Sequence, residues 1–213
     1  IFVIGAGRSG TTLLLALFDN HPQLCVLPLE LKLYAEFDEA NTEEVDRLNL
    51  HFLNVTKLPY LKENVTEFGN PMNKPVDVSN IDYGIFENAL NSYNSLGKIH
   101  RKDYAKILFK AFSECVHSFR SSKLTHFVEK SSGSGMKYIE QMLSDFPNAK
   151  IIHLIRDPRE NFGSLRGQFL RTYGRKTHRR PEIGNLYVYS ARTSLIPAFR
   201  KAIEFSSSHP ENF

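Results

Sequence analysis

The feature that most constrains this chain is a glycine-rich turn that directly follows an apolar run at its start. Residues 1–4 (IFVI) are typical of a buried strand, residues 5–12 (GAGRSGTT) form the turn, and the apolar stretch after them is typical of a helix. Glycines permit tight backbone angles and let a ligand approach the backbone closely. A strand, a turn and a helix start in this order aim backbone N–H groups at one point, so the segment predicts a phosphate-binding loop.

The loop has the spacing of a nucleotide hydrolase loop but lacks its cation. Gly5 and Gly10 are separated by four residues, as in the P-loop, where a lysine and then a serine or threonine follow. Here Thr11 takes the lysine position, and Arg8 places a cation inside the loop. A glycine-rich turn without any ligand is the alternative. Anion binding is favoured because the strand, the glycines, the cation and the paired threonines Thr11 and Thr12 occur in register.

The rest of the chain alternates strands with helices. We predict strands at 1–6, 125–129 and 150–155, and helices at 11–20, 102–121, 135–145, from Pro158 onward, and at 185–205. This order implies an α/β fold with a central parallel sheet flanked by helices. Residues 41–100 differ in pattern, with helical stretches at 43–53 and 81–93 between polar loops, and they predict a helical insertion.

The composition is that of a soluble globular protein, with 41% hydrophobic and 23% charged residues in a chain of 213. No apolar run is long enough to span a membrane. The net charge of +4 suits an anionic ligand without requiring nucleic acid. We expect a single domain over 1–213 that is truncated at both ends. At the start, the reason is that the first residues already form a core strand. Cys25 and Cys115 lack the spacing of a redox or metal motif, so we expect two buried free thiols.

A second anion site is predicted where the strand at 150–155 ends. Arg156 follows that strand, and Ser164 lies eight residues further on, about two turns into the next helix. In an open α/β sheet, ligands bind at the carboxyl ends of the strands, so Arg156 is expected at the same edge as the glycine-rich loop. A surface pair between Arg156 and Asp157 is the alternative. His153 is expected to be a core histidine with satisfied hydrogen bonds.

Together, the two motifs resemble the sulfotransferase superfamily. Residues 7–14 (GRSGTTLL) resemble its 5′-phosphosulfate loop, and residues 155–164 (IRDPRENFGS) resemble its 3′-phosphate motif. The segments at 17–22 (LFDNHP) and 128–131 (VEKS) are similar to those of the tyrosylprotein and carbohydrate-type branches, although Ser131 and Ser132 replace a Thr-Pro pair. The resemblance implies a three-layer P-loop-like fold and 3′-phosphoadenosine 5′-phosphosulfate (PAPS) as donor, with no metal required.

The resemblance also implies roles for individual residues. The 5′-phosphosulfate is expected to bind to the loop, through Arg8, Ser9, Gly10, Thr11 and Thr12. Arg156 and Ser164 are expected to bind the 3′-phosphate. Lys130 is expected to contact the bridging or leaving oxygen. Arg8 also steadies transition-state charge, and Glu30 is the expected general base, with Glu129 as the second choice. The basic run at 166–180 is either a solvated face or an attractor for anionic ligands.

Two other functions are left open by the sequence. A P-loop kinase or NTPase would also use a glycine-rich loop, although Thr11 argues against it. A non-catalytic nucleotide-binding fragment is the second alternative, because the chain stops where the family usually continues with another strand. The resemblance implies PAPS or its product 3′,5′-adenosine bisphosphate (PAP) as a partner, together with an acceptor that is a protein tyrosine, a carbohydrate or a lipid. The resemblance leaves two cellular compartments open: the cytoplasm if the protein is bacterial, and the Golgi lumen if it is from an animal.

Overall fold

The core of the protein is a sheet of four parallel strands. The computed structural model describes residues 1–19, 21–27, 30, 32–39, 45–56, 81–92, 99–116, 123–133, 135–172, 188 and 191–213. Within them, the strands are β1 (Phe2–Gly5), β2 (Leu24–Val26), β3 (His126–Ser132) and β4 (Ile151–Leu154). Their spatial order is β2-β3-β1-β4, and every pairing is parallel. The predicted α/β fold with a parallel sheet is confirmed.

Helices connect the strands and cover the sheet. In chain order they are α1 (Thr11–Phe18), α2 (Leu33–Glu39), α3 (Val45–Thr56), α4 (Tyr83–Asn91), α5 (Arg101–Cys115), α6 (Ile139–Asp145), α7 (Pro158–Thr172) and α8 (Ile196–Ser208). A 3₁₀ turn (Gly135–Tyr138) precedes α6, and a π-helical segment (Ala191–Leu195) precedes α8. Within the ranges given above, none of the helices has the length and apolar character needed to cross a bilayer.

Helices pack on both faces of the sheet because side chains alternate along each strand. On one face, Val3, Val26 and Val128 pack with Leu15 of α1 in a small apolar cluster. On the other face, Phe2 and Ile4 belong to a much larger cluster that includes side chains of α2, α5 and α6. The sheet is therefore the middle of three layers, as expected for a P-loop-like fold.

The helices of the predicted insertion join the larger apolar cluster. Leu48 and Phe52 of α3 and Phe86 of α4 are buried in it together with side chains of α5. The buried Asn49 connects these helices, since its Nδ2 donates to the carbonyl oxygen of Leu90 at 3.2 Å and its Oδ1 accepts from the Tyr104 hydroxyl at 2.5 Å. Residues 57–80 and 93–98 of the insertion lie outside the described residues.

Strand pairing explains two of the predicted boundaries that differ from the structure. The helix predicted at 102–121 ends at Cys115, because Val116 is extended and pairs with Ile81 in an isolated antiparallel bridge. The strand predicted to end at Glu129 continues to Ser132, because residues 130–132 pair with residues 3–5 of β1. Lys130 therefore lies within β3. The expectation of two buried free thiols, Cys25 and Cys115, is confirmed.

Replacing Gly135 by alanine should destabilise the protein. A Cβ at this position would lie 2.6 Å from Ile4 Cγ2 and 3.1 Å from Ser131 Cβ, so the 3₁₀ turn would have to move away from the sheet. We expect the free energy of unfolding to fall by roughly 1–3 kcal/mol in urea denaturation. Gly163→Ala is the matched control, because a Cβ there has open space around it and α7 should gain about 0.5–1 kcal/mol. Equal effects of the two changes would contradict this packing.

Candidate functional site

Three segments with polar side chains meet at the carboxyl edge of the sheet. The glycine-rich loop leaves β1 at Gly5, which lies opposite Ser132 of β3 and Leu154 of β4. The turn from β4 into α7 begins directly after Leu154. Because the strands are parallel, these three chain segments emerge side by side, and the residues predicted to form two anion sites lie at one edge.

The backbone of the glycine-rich loop leaves the start of α1 open to an anion. Arg8 and Gly10 both have left-handed backbone angles, with φ of 68° and 105°. Among the described residues, no side chain caps the amides at the start of α1, and the first turn of α1 carries no acidic residue. Ser9 is turned inward: its N–H donates to the Ala6 carbonyl at 3.1 Å, and its Oγ is buried with no hydrogen-bond partner among the described residues. Thr11, at the position of the P-loop lysine, is also buried.

Lys130 links the loop to the predicted general base. Its Nζ donates to Thr12 Oγ1 at 3.1 Å and lies 3.7 Å from Glu30 Oε2. The side chains of Lys130 and Glu30 are only 11% and 21% exposed, so water screens this ion pair weakly. Burial lowers the pKa of Lys130, and the carboxylates of Glu30 and Glu129 act against that shift. Three predicted site residues, Thr12, Glu30 and Lys130, therefore lie together.

The start of α7 is joined to the loop by side-chain contacts. Arg8 Nε donates to Ser164 Oγ at 3.0 Å, and Arg156 Nη1 donates to the carbonyl oxygen of Arg8 at 3.2 Å. Arg156 also donates through Nε and Nη2 to Glu160 Oε2, at 3.3 Å each. The structure thus brings the predicted 3′-phosphate residues into direct contact with the predicted 5′-phosphosulfate loop.

The alternative in which Arg156 pairs with Asp157 was wrong. Asp157 instead accepts from Arg159, with 2.7 Å between Asp157 Oδ2 and Arg159 Nη2. Hydrogen bonds from the Arg159 side chain and backbone lower the pKa of Asp157 to about 2. Because Arg159 lies only two residues after Asp157, at the start of α7, the two residues pair locally, and Arg156 donates to the Arg8 carbonyl instead.

One residue of this contact was missed by the sequence reasoning. Asn161 is 2% exposed, and its Nδ2 donates to the carbonyl oxygen of Gly7 at 2.8 Å. The signal that could have identified it is helical spacing, since Asn161 lies one turn before Ser164 on the same face of α7.

Glu129, the second choice for the base, lies on the other side of β3 from Lys130. Neighbouring side chains of a strand point to opposite faces, so Glu129 shares its face with Ser131 rather than with Lys130. The Ser131 hydroxyl lies 2.9 and 2.8 Å from the two carboxylate oxygens. Burial raises the pKa of Glu129 to about 7, although the bond from Ser131 lowers it. Glu129 is a buried structural carboxyl in this arrangement.

The expectation of a satisfied core histidine was wrong. His153 is half-buried in β4, and neither ring nitrogen has a hydrogen-bond partner within the described parts of the chain. Its ring packs edge-on against Phe199 of α8, with 6.2 Å between ring centroids. Packing against an apolar helix accounts for the missing partners, and burial lowers the pKa of His153.

Two further expectations concern metal ligands and basic residues. No group of three or more histidine, cysteine or acidic side chains suited to hold a metal ion occurs in the part of the chain that the structure describes. Arg166 of the basic run is exposed on α7, whereas residues 173–180 lie outside the described residues.

Comparison with known proteins adds one finding. A family model described as "Sulfotransferase family" matches residues 1–206, which is nearly the whole chain. The match includes the glycine-rich loop, β3 with Lys130, and the turn into α7. No curated protein and no solved structure matches the chain.

Because the pKa of Glu129 is raised in the folded protein, the stability of the protein should decrease as the pH rises. Its pKa is about 7 in the folded state against 4.5 for an ordinary glutamate, so between these values the folded protein binds a proton that the unfolded chain has lost. The contribution of this proton to the free energy of unfolding is complete below pH 4.5 and decreases by roughly 1 kcal/mol per pH unit up to pH 7. Urea denaturation of wild type and Glu129→Gln across this range measures the difference.

The comparison with Glu129→Gln is needed because His153 acts in the opposite direction. Its lowered pKa means that stability is lost as the pH falls through the ordinary histidine value, in both proteins alike. The difference between the two proteins therefore removes the His153 contribution and reports Glu129 together with the charges coupled to it, Glu30, Lys130 and the Ile1 ammonium. A difference that stays constant from pH 4.5 to 7 would refute the raised pKa.

Proposed function

This chain belongs to the sulfotransferase family, and from that premise we propose that it transfers a sulfuryl group from PAPS to a hydroxyl or amine of an acceptor. The observation that carries the proposal is the direct contact between two anion-binding elements. Arg8 reaches Ser164, and Arg156 reaches the backbone of Arg8, so the cations of both elements lie at one edge of the sheet. A ligand with phosphates at two positions of one nucleotide suits this arrangement.

The residues present fit such a donor. The start of α1 has no side-chain cap, and Arg8, Lys130 and Arg156 supply three cations around it. When bound, PAPS supplies a sulfuryl group whose leaving phosphate gains negative charge. Backbone N–H groups of residues 10–12 and the Arg8 guanidinium would stabilise that charge, because fixed dipoles and cations act strongly in a site that excludes water. Arg156 and Ser164 would hold the 3′-phosphate.

We assign the general base to Glu30. A base must reach the acceptor hydroxyl, which approaches the sulfur atom on the side opposite the leaving oxygen. The acceptor and leaving oxygens flank the same sulfur atom, so the base must also lie near the group assigned to the leaving oxygen. Glu30 meets this condition, because its Oε2 lies 3.7 Å from Lys130 Nζ. Glu129 is a poorer candidate, because its carboxylate is buried on the other face of β3 and accepts hydrogen bonds from Ser131.

Transfer of labelled sulfate from PAPS to a panel of tyrosine peptides, glycans and lipids tests this function. Ligand-dependent melting tests the donor separately. We expect PAP to raise the melting temperature without added metal, because Thr11 occupies the position of the lysine that a kinase uses for the β- and γ-phosphates. Stabilisation by ATP with Mg²⁺ but not by PAP would favour a P-loop kinase instead.

Glu30→Gln should lose turnover while keeping donor affinity. Removing a general base lowers kcat by about 10²–10⁴-fold, whereas the amide keeps the size of the side chain. PAP affinity, measured by calorimetry, should not fall, since the amide no longer competes as an anion for Lys130. Glu114→Gln, an exposed glutamate on α5, is the matched control and should leave both quantities unchanged. Unchanged turnover in Glu30→Gln would remove the assignment.

Glu160→Gln should bind PAP more tightly than wild type. The Glu160 carboxylate accepts two hydrogen bonds from Arg156, and a 3′-phosphate would compete for the same guanidinium. Because the pair is exposed, we expect a gain of up to about fivefold in affinity, which diminishes at high salt. Glu140→Gln is the control: this glutamate is as exposed as Glu160, at 68%, and pairs with Lys201. Weaker binding by Glu160→Gln would show that Glu160 supports Arg156 instead.

A further inference from the structure

The buried side chain of Asn161 forms a hydrogen bond between the two proposed phosphate sites. Its side chain is 2% exposed, and its Nδ2 donates to the Gly7 carbonyl at 2.8 Å. The Arg8–Ser164 and Arg156–Arg8 hydrogen bonds involve arginine side chains, and the side chain of Arg156, in the turn before α7, is 38% exposed. Because the Asn161 side chain is almost fully buried, water competes little for its Nδ2.

The bond also fixes an orientation within the loop. A peptide group is planar and trans, so the Gly7 carbonyl and the Arg8 N–H point in opposite directions. Holding that carbonyl against α7 turns the Arg8 N–H to the opposite side of the loop. Arg156 holds the next carbonyl, that of Arg8, in the same way. Two successive carbonyls of the loop are thus bound by residues of the turn into α7 and of α7 itself.

We propose that Asn161 is a positioning residue that sets the distance between the 5′-phosphosulfate loop and the 3′-phosphate site. This role rests on the proposed function, because it assumes a ligand that occupies both sites. When two sites are held in a fixed relation, a ligand that spans them binds the second site without a new ordering cost. Asn161 touches neither phosphate in this proposal and acts through the Gly7 carbonyl.

Two ligands separate this role from a general structural one. PAP and adenosine 5′-phosphate share the adenosine and the 5′-phosphate and differ in the 3′-phosphate. The dissociation constant of adenosine 5′-phosphate divided by that of PAP therefore measures how much the second phosphate adds to binding, and this quotient is the ratio used below. Calorimetry with both ligands should give a ratio that falls by about tenfold in Asn161→Ala, since the two sites are no longer held at a fixed distance.

Asn212→Ala is the matched control. Asn212 is also a buried asparagine whose Nδ2 donates to backbone carbonyls, those of Pro147 and Ala149, but it lies at the opposite end of β4. Thermal melting should show a loss of stability in both variants, because each removes hydrogen bonds donated by a buried amide. The ratio of the two dissociation constants should stay within about twofold of wild type in Asn212→Ala.

The outcomes distinguish failure of this inference from failure of the proposed function. If wild type binds PAP and Asn161→Ala weakens PAP and adenosine 5′-phosphate equally, Asn161 only shapes the loop and the positioning role is wrong. If Asn212→Ala lowers the ratio as much as Asn161→Ala, the effect is one of global stability and the role is again wrong. If wild type itself binds adenosine 5′-phosphate no more weakly than PAP, the proposed function fails.

Discussion

The parallel pairing of β1 with β3 on one side and β4 on the other is the constraint on which the site depends. β1 alone supplies only the glycine-rich loop. Its register places Gly5 opposite Ser132 and Leu154, so the loop, the end of β3 and the turn into α7 emerge together. The loop is more than a hundred residues away from the other two segments in sequence, so no local interaction could bring it to their edge. The large apolar cluster under the sheet therefore contributes to function by maintaining this register.

At this edge, the cations have partners supplied by the protein. Lys130 contacts Glu30 and Thr12, Arg156 contacts Glu160, and Arg8 contacts Ser164. A buried or half-buried charge without a partner is costly, so these contacts stabilise the fold while keeping the cations at the edge of the sheet. Binding of an anion would then exchange one set of partners for another, and the net free energy would be smaller than the new contacts alone suggest.

Much of the fold could be predicted from periodicity and order, but less of the site. The alternation of strands and helices predicts the parallel sheet, and the apolar spacing in residues 102–115 predicts α5. The end of α5 could not be predicted, because it depends on pairing between Val116 and the distant Ile81. Likewise, the contact of Asn161 with Gly7 joins residues 154 positions apart. Local patterns report which residues can bind an anion, whereas long-range packing decides which of them meet.

The arrangement of cations at this edge explains how the loop can lack the lysine of a P-loop. In a P-loop, one lysine in the loop itself meets the phosphates, so the loop carries its own main cation. Here Thr11 is buried at that position, and the cations come from Arg8 in the loop, Lys130 in β3 and Arg156 after β4. A site assembled from three segments works only if their separation is held constant. Contacts between α7 and the loop are therefore as important to this site as the charges themselves.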